Sequence, residues 1–123
     1  MNINREELAW SAGFADGEGC FFSQKIKGAR GMRVHARFSV GQNDREVLDW
    51  FCAAIGFGKV MGPYKRKWSD WYNYQVSSFE QVQALGALLW TFLSPIKRAQ
   101  FERVITTVTP TLPPGRIPKT EVL

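Results

Sequence analysis

Histidine is nearly missing from this sequence of 123 residues: His35 is the only one. A multi-histidine metal centre is therefore excluded, and a histidine-based catalytic triad is disfavoured. Cysteine is scarce too. Cys20 and Cys52 are too few and too far apart for a disulfide scaffold or a zinc knuckle, so reduced thiols are expected. No apolar run approaches the roughly 18 residues of a membrane-spanning helix, so no membrane partner is expected. Glu6 and Glu7 stand where a signal peptide would be apolar, which points to a cytoplasm or an organellar matrix and not to secretion. Acid is absent from one long stretch: Gly19 to Asn43 contains none.

What is present has the balance of a globular chain, with 45% hydrophobic and 22% charged residues. The length suits one domain, read as residues 1–109, followed by a proline-rich tail over 110–123. That tail cannot continue a helix and is expected to be extended or mobile. Lys and Arg outnumber Asp and Glu 16 to 11, for a net charge of +5. The excess is segregated. Lys25, Lys27, Arg30, Arg33 and Arg37 fill the acid-free stretch, and Lys65, Arg66 and Lys67 form a second cluster. Charge confined to two strand-like regions suggests one basic face, as on a surface that tracks phosphates. The plain alternative is a solvated face.

Asn4 followed by Glu7 forms a capping box, which predicts a helix from about Arg5 to about Asp16, stopped by Gly17 and Gly19. A strand is predicted from Cys20 to Lys27. From Arg33 to Val40, Arg33, His35, Arg37 and Ser39 alternate with Val34, Ala36, Phe38 and Val40, a half-buried strand with a basic polar face. Asp44 caps a helix bearing Leu48, Phe51 and Ile55 that ends at Gly56. Strands follow at Lys59–Lys65 and Trp71–Ser77 around a polar turn. Ser77 or Ser78 caps a helix running through Phe92, and Pro95 opens a last helix bearing Ile96, Phe101, Val104, Ile105 and Val108. The order αββαββαα is that of an α+β domain with one four-stranded antiparallel sheet backed by helices. The other sheet face is expected to be polar, basic and open. Phe38, Tyr72, Tyr74 and Trp90 read as core, Trp68 and Trp71 as exposed, and Glu80 and Glu102 as solvated helix positions.

The segment Ser11–Gly19, SAGFADGEG, resembles the signature of the LAGLIDADG homing endonucleases, with Ser11 replacing the usual first leucine and Glu18 in the acidic position. Downstream, LSPIKRAQFERVI resembles the late lysine-bearing helix of that family. The resemblance runs to about Val108 and implies an αββαββα homing-endonuclease-like domain with its helices on one sheet face. Ala9, Gly13 and Gly17 are spaced by four and give one nearly bare helix stripe, which allows close approach of a second helix. The plain alternative is packing on the domain's own sheet. With one motif in a one-domain chain, the resemblance implies a homodimer about a two-fold axis, with Ala9, Ala12, Gly13 and Asp16 at the interface. Asp16 also reads as an acid doing structural work at the helix end.

The resemblance further implies metal-dependent cleavage of both strands of a long, near-palindromic DNA site. Glu18 and the Gly17 carbonyl would hold Mg²⁺ or Mn²⁺, since hard cations take oxygen ligands and Mg²⁺ also takes substrate phosphate oxygens. Lys97 would stabilise charge near the scissile phosphate, Gln42 would position water, and Arg45 is a further candidate beside it. For the open face, alternation names Arg33, His35, Arg37 and Ser39, with the Asn73 and Gln75 amides suited to adenine. On the first strand, family offset points to Gln24, whereas polarity points to Lys25. Lys65, Arg66 and Lys67 are expected to clamp phosphates. Two alternatives stand beside this reading: a catalytically silent relative that binds DNA or intron RNA, as a maturase or regulator does, and a basic α+β interaction module whose resemblance is accidental.

Overall fold

A computed structural model describes residues 3–108; the tail reading lies outside that range. The elements are α1 (Arg5–Glu18), β1 (Cys20–Gly28), β2 (Gly31–Gln42), α2 (Arg45–Ile55), β3 (Lys59–Lys65), β4 (Asp70–Val76), α3 (Phe79–Leu89), a 3₁₀ turn (Trp90–Phe92) and α4 (Pro95–Thr107). All strands pair antiparallel in the order β1-β2-β4-β3.

Local chemistry accounts for the helix starts. Asn4 Oδ1 accepts from the Glu7 N–H at 2.8 Å while its Nδ2 donates to Glu7 Oε1 at 2.9 Å, a reciprocal cap built on an amide. Asp44 caps α2 through the Glu46 N–H, and Ser94 caps α4 through the Lys97 N–H ahead of Pro95. Of the two candidate serines, Ser78 caps α3, whereas Ser77 gives its carbonyl to Arg37.

Strand β2 outruns its expected Arg33–Val40 at both ends, α4 stops one residue short of Val108, and two other helix ends depart from expectation. Helix α1 runs past Gly17 to Glu18, because the chain leaves the helix at Gly19, whose N–H still bonds the Ala15 carbonyl. Only glycine fits there: a Cβ would fall 2.4 Å from the Phe38 ring. Helix α3 closes at Leu89 and tightens into the 3₁₀ turn instead of continuing through Phe92.

Alternate residues of the sheet, Phe21, Ala36, Phe38, Val40, Tyr74 and Val76, are buried against the helices. Leu48, Phe51 and Ile55 of α2, Val82, Leu85 and Leu89 of α3, and Phe101 and Val104 of α4 meet them. Tyr72 and Trp90 are partly buried against this core, and Trp68 is exposed. Ile96 is not part of it, at 82% exposed. It lies five residues from Phe101, about 140° round the helix, so both cannot face the sheet. In α1 the inward face is Ser11, Ala12 and Ala15, which leaves Ala9, Gly13 and Gly17 on the outward side.

Candidate functional site

Strand register decides which side chains share the helix-free face. Antiparallel partners lie on the same side of a sheet. Phe22, Gln24 and Ile26 of β1 pair with Arg37, His35 and Arg33, and Ser39 pairs with Gln75 of β4. Lys59 and Met61 of β3 pair with Gln75 and Asn73. Because Phe38 and Val40 point into the core, all these partners point the other way. The open face therefore carries Gln24, Arg33, His35, Arg37, Ser39, Lys59, Asn73 and Gln75 together. No acid was placed among them by the pairing.

The first-strand ambiguity resolves against Lys25. It pairs with Val34 and shares the helix-side face with Phe21, so it is not on this surface. Its polarity misled because β1 outruns the helices that cover the sheet, and water reaches both faces there. Gln24 instead accepts from Arg37 Nε at 3.0 Å, and Arg37 Nη1 donates to the Ser77 carbonyl at 2.7 Å. Arg37 is thus held from both sides across the sheet, with guanidinium donors left over.

The basic turn is more internally partnered than its sequence suggests. Lys65 Nζ lies 3.0 Å from Asp70 Oδ1. The Arg66 guanidinium sits 4.2 Å from the centre of the Trp71 ring, and the Lys67 ammonium 5.1 Å from that of Trp68. Trp71 in turn lies on Gly41, where a Cβ would come within 2.4 Å of the indole. Lys59 was missed as a member of this face, and Trp71, read as exposed, is half-buried on it against Gly41. For Lys59 the signal existed: it alternates with Val60, which packs against the core.

At one end of the sheet, α1, β2 and α4 converge. Glu18, the last residue of α1, is exposed, and Gln42 Nε2 lies 3.4 Å from its Oε2. Lys97 Nζ donates to the carbonyl of Gly19, the next residue after Glu18, at 2.7 Å and to Gln100 Oε1 at 3.3 Å. Gln100 Oε1 also accepts from the Phe21 N–H at 2.8 Å. Three residues from separate parts of the chain, Glu18, Gln42 and Lys97, are therefore brought to one corner. Arg45 is turned elsewhere, near Asp49 and the Tyr72 ring.

Asp16 belongs to the scaffold of this corner. Its Oδ1 accepts from the Ser94 N–H at 2.8 Å, so α1 is latched to the start of α4 across 78 residues. That backbone bond holds its carboxyl below the ordinary value, against partial desolvation, with help from the Ser94 hydroxyl and the nearby Lys97 charge. Its Oδ1 is thereby engaged within its own chain, the structural role read for it, while the residue stays partly exposed. Ala12 is 0% exposed within this chain's core, which corrects its assignment to an interface between copies. Ala9, Gly13 and Gly17 are exposed, and a Cβ added at Gly13 or Gly17 would meet nothing within 4 Å.

Among the described residues no group of three or more His, Cys, Asp and Glu could hold a metal ion. The donors at the corner are nonetheless the right kind for a hard divalent cation. Glu18 offers an exposed carboxylate, and the Gly17 carbonyl lies in the last turn of α1, where helical carbonyls lack donors. The chain turns extended at Gly19, so the helix supplies that carbonyl with no N–H four residues on. One chain falls short of a full oxygen shell, so water, phosphate or a second carboxylate must complete it.

Helices on one face of an antiparallel sheet, an open basic face and an acid beside a tethered lysine at its end describe an α+β protein of homing-endonuclease architecture. The LAGLIDADG endonuclease family model matches residues 11–103, and the chain belongs to that family. A search among curated proteins found no match. Among solved structures, the homing endonuclease I-CvuI, in complex with the I-CreI target in the presence of 2 mM Mg with the DNA not cleaved, is 25% identical. Its TM-score is 0.70, over 84% of this chain and 68% of that one. The LAGLIDADG meganuclease I-AabMI bound to uncleaved DNA is 29% identical with a TM-score of 0.66, over 85% of this chain and 35% of that one. The archaeal intron-encoded homing endonuclease I-Vdi141I, complexed with DNA, is 26% identical with a TM-score of 0.67, over 82% and 67%. Among the described residues no helix is long and apolar enough to cross a membrane.

Proposed function

We propose that two copies of this chain form a divalent-metal-dependent endonuclease that cuts both strands of duplex DNA at a long, near-palindromic site. The observation that carries this reading is Gln42 lying beside Glu18, with Lys97 tethered to the next residue's carbonyl, at the end of the basic open face. The outward Ala9, Gly13 and Gly17 stripe supplies the seam for the second copy, which brings two Glu18 carboxylates beside one axis. The open face lies in the major groove, where Gln24, Asn73 and Gln75 offer amide pairs to base edges and Arg33, Arg37 and Ser39 offer further donors. Lys59 and the turn residues Arg66 and Lys67 take phosphates.

Glu18 and the Gly17 carbonyl are the residues that would hold Mg²⁺ or Mn²⁺. When bound, the cation supplies an acidified water and stabilises the departing oxygen. The chain's own groups do the rest. The Gln42 amide, within reach of Glu18, orients the attacking water. The Lys97 ammonium, tethered one residue from Glu18, offsets the charge that develops on the phosphate.

The test is incubation of the purified protein with a randomised duplex library and Mg²⁺, repeated with Glu18→Gln. Cleavage of one sequence class, lost in the variant while binding persists, is the expected result. Binding without cleavage by either protein would overturn the enzymatic reading and favour a DNA-binding relative.

A further inference from the structure

Gln100, one turn beyond Lys97 on α4, has no part in the chemistry above, yet its amide oxygen accepts from both the Phe21 N–H and Lys97 Nζ. A lysine side chain is long and flexible, and holding its ammonium at one point costs rotamer entropy. Here the Gly19 carbonyl and the Gln100 amide fix it from the two elements that meet at the corner. The second bond matters as well. Phe21 lies on β1, an edge strand of the sheet, and Gln100 gives its N–H an acceptor, which ties α4 to the start of β1 right after Glu18 and Gly19. A neutral acceptor also suits the task, because it holds the ammonium without cancelling the charge that a phosphate would meet.

We infer that Gln100 is a positioning residue of the endonuclease centre, holding the Lys97 ammonium on the Gly19 carbonyl, one residue from Glu18, and tying α4 to the start of β1 through the Phe21 N–H. This rests on the endonuclease reading and acts through Lys97, with no contact of Gln100 to DNA. Gln100→Met removes the acceptor at similar length. Gln100→Glu keeps both hydrogen bonds and pairs off the lysine charge.

Two readouts on the full chain separate this inference from the reading beneath it. The first is single-turnover cleavage, in Mg²⁺, of a duplex selected from the library. The second, needing neither DNA nor metal, is the acetylation rate of Lys97 relative to exposed Lys27, followed by mass spectrometry. Gln100→Met is expected to cleave about tenfold slower, with DNA affinity in Ca²⁺ within about threefold of wild type. It is expected to acetylate Lys97 severalfold faster, and to add nothing to Lys97→Met. Gln100→Glu is expected to cleave slowly although Lys97 labels no faster than in wild type, which a loss of packing alone would not produce. Equal slowing by Gln100→Met with and without Lys97, or an unchanged Lys97 labelling ratio, would overturn the inference. If wild type cleaves no duplex, the endonuclease reading fails, and the labelling ratio still decides whether Gln100 holds Lys97.

Discussion

Replacing Gly13 by alanine gives opposite results depending on whether a second helix lies against α1. Within one chain the added methyl meets nothing within 4 Å, so it brings no clash. Glycine in a helix interior costs roughly 0.5–1 kcal/mol relative to alanine. A free protomer should therefore gain about that much, or about 2–4 °C in melting temperature for a domain of this size. A seam of bare backbone responds differently. Paired helices ordinarily stand about 8–10 Å apart, and small residues allow the close end of that range. A methyl on each copy, facing its symmetry mate, forces them apart and costs about 1–3 kcal/mol as overpacking. Dimer dissociation should then rise about tenfold or more, since about 1.4 kcal/mol is one decade. Sedimentation velocity over a dilution series reads the dissociation, and urea unfolding at fixed protomer concentration reads the stability. A variant with gained stability and wild-type dissociation would refute the seam.

Three further outcomes are expected. Ser11 Oγ is fully buried with no hydrogen-bond partner among the described residues, so Ser11→Ala should stabilise the fold by about 1 kcal/mol, seen as a higher urea midpoint at unchanged slope. Loss of stability would mean that the hydroxyl is bonded. Asp16 has its folded value lowered below the unfolded 3.8, so its contribution is present at neutral pH and is lost as pH falls through the folded value. Asp16→Asn keeps an acceptor and removes the charge. Its deficit of about 1 kcal/mol at pH 7 should close as pH drops below about 4, and a deficit independent of pH would contradict the charge-assisted latch. Lys59→Ala should weaken binding to all duplexes alike and flatten the salt slope by about 1, whereas Gln75→Ala should relax preference at one position. A Lys59 effect confined to one sequence would refute its role on phosphate.

What could be read from the sequence was local. The caps at Asn4 and Asp44, the start of α4 at Pro95, the stop at Gly56 and the alternation of β2 depend on neighbours within a few residues, and each stands as expected. The faces of irregularly covered strands were harder. Lys25 and Gln24 are both exposed, because β1 projects past the helices, and only the pairing with β2 separates them. Ala12 sits next to Gly13 in sequence, but about 100° of helix rotation puts one in the core and leaves the other outside. The corner itself joins residues some 80 positions apart. Glu18 and Lys97 came from family resemblance, whereas Gln100 and the Asp16–Ser94 latch have no periodic or compositional signal and required the fold.

Pairing of two Glu18 carboxylates in one centre is tested most directly in a heterodimer purified through two different tags, one copy wild type and the other Glu18→Gln. Double-strand cleavage of the selected duplex should fall to less than about a tenth of the wild-type rate, with binding unchanged. Double-strand cleavage at half the wild-type rate or more would contradict it.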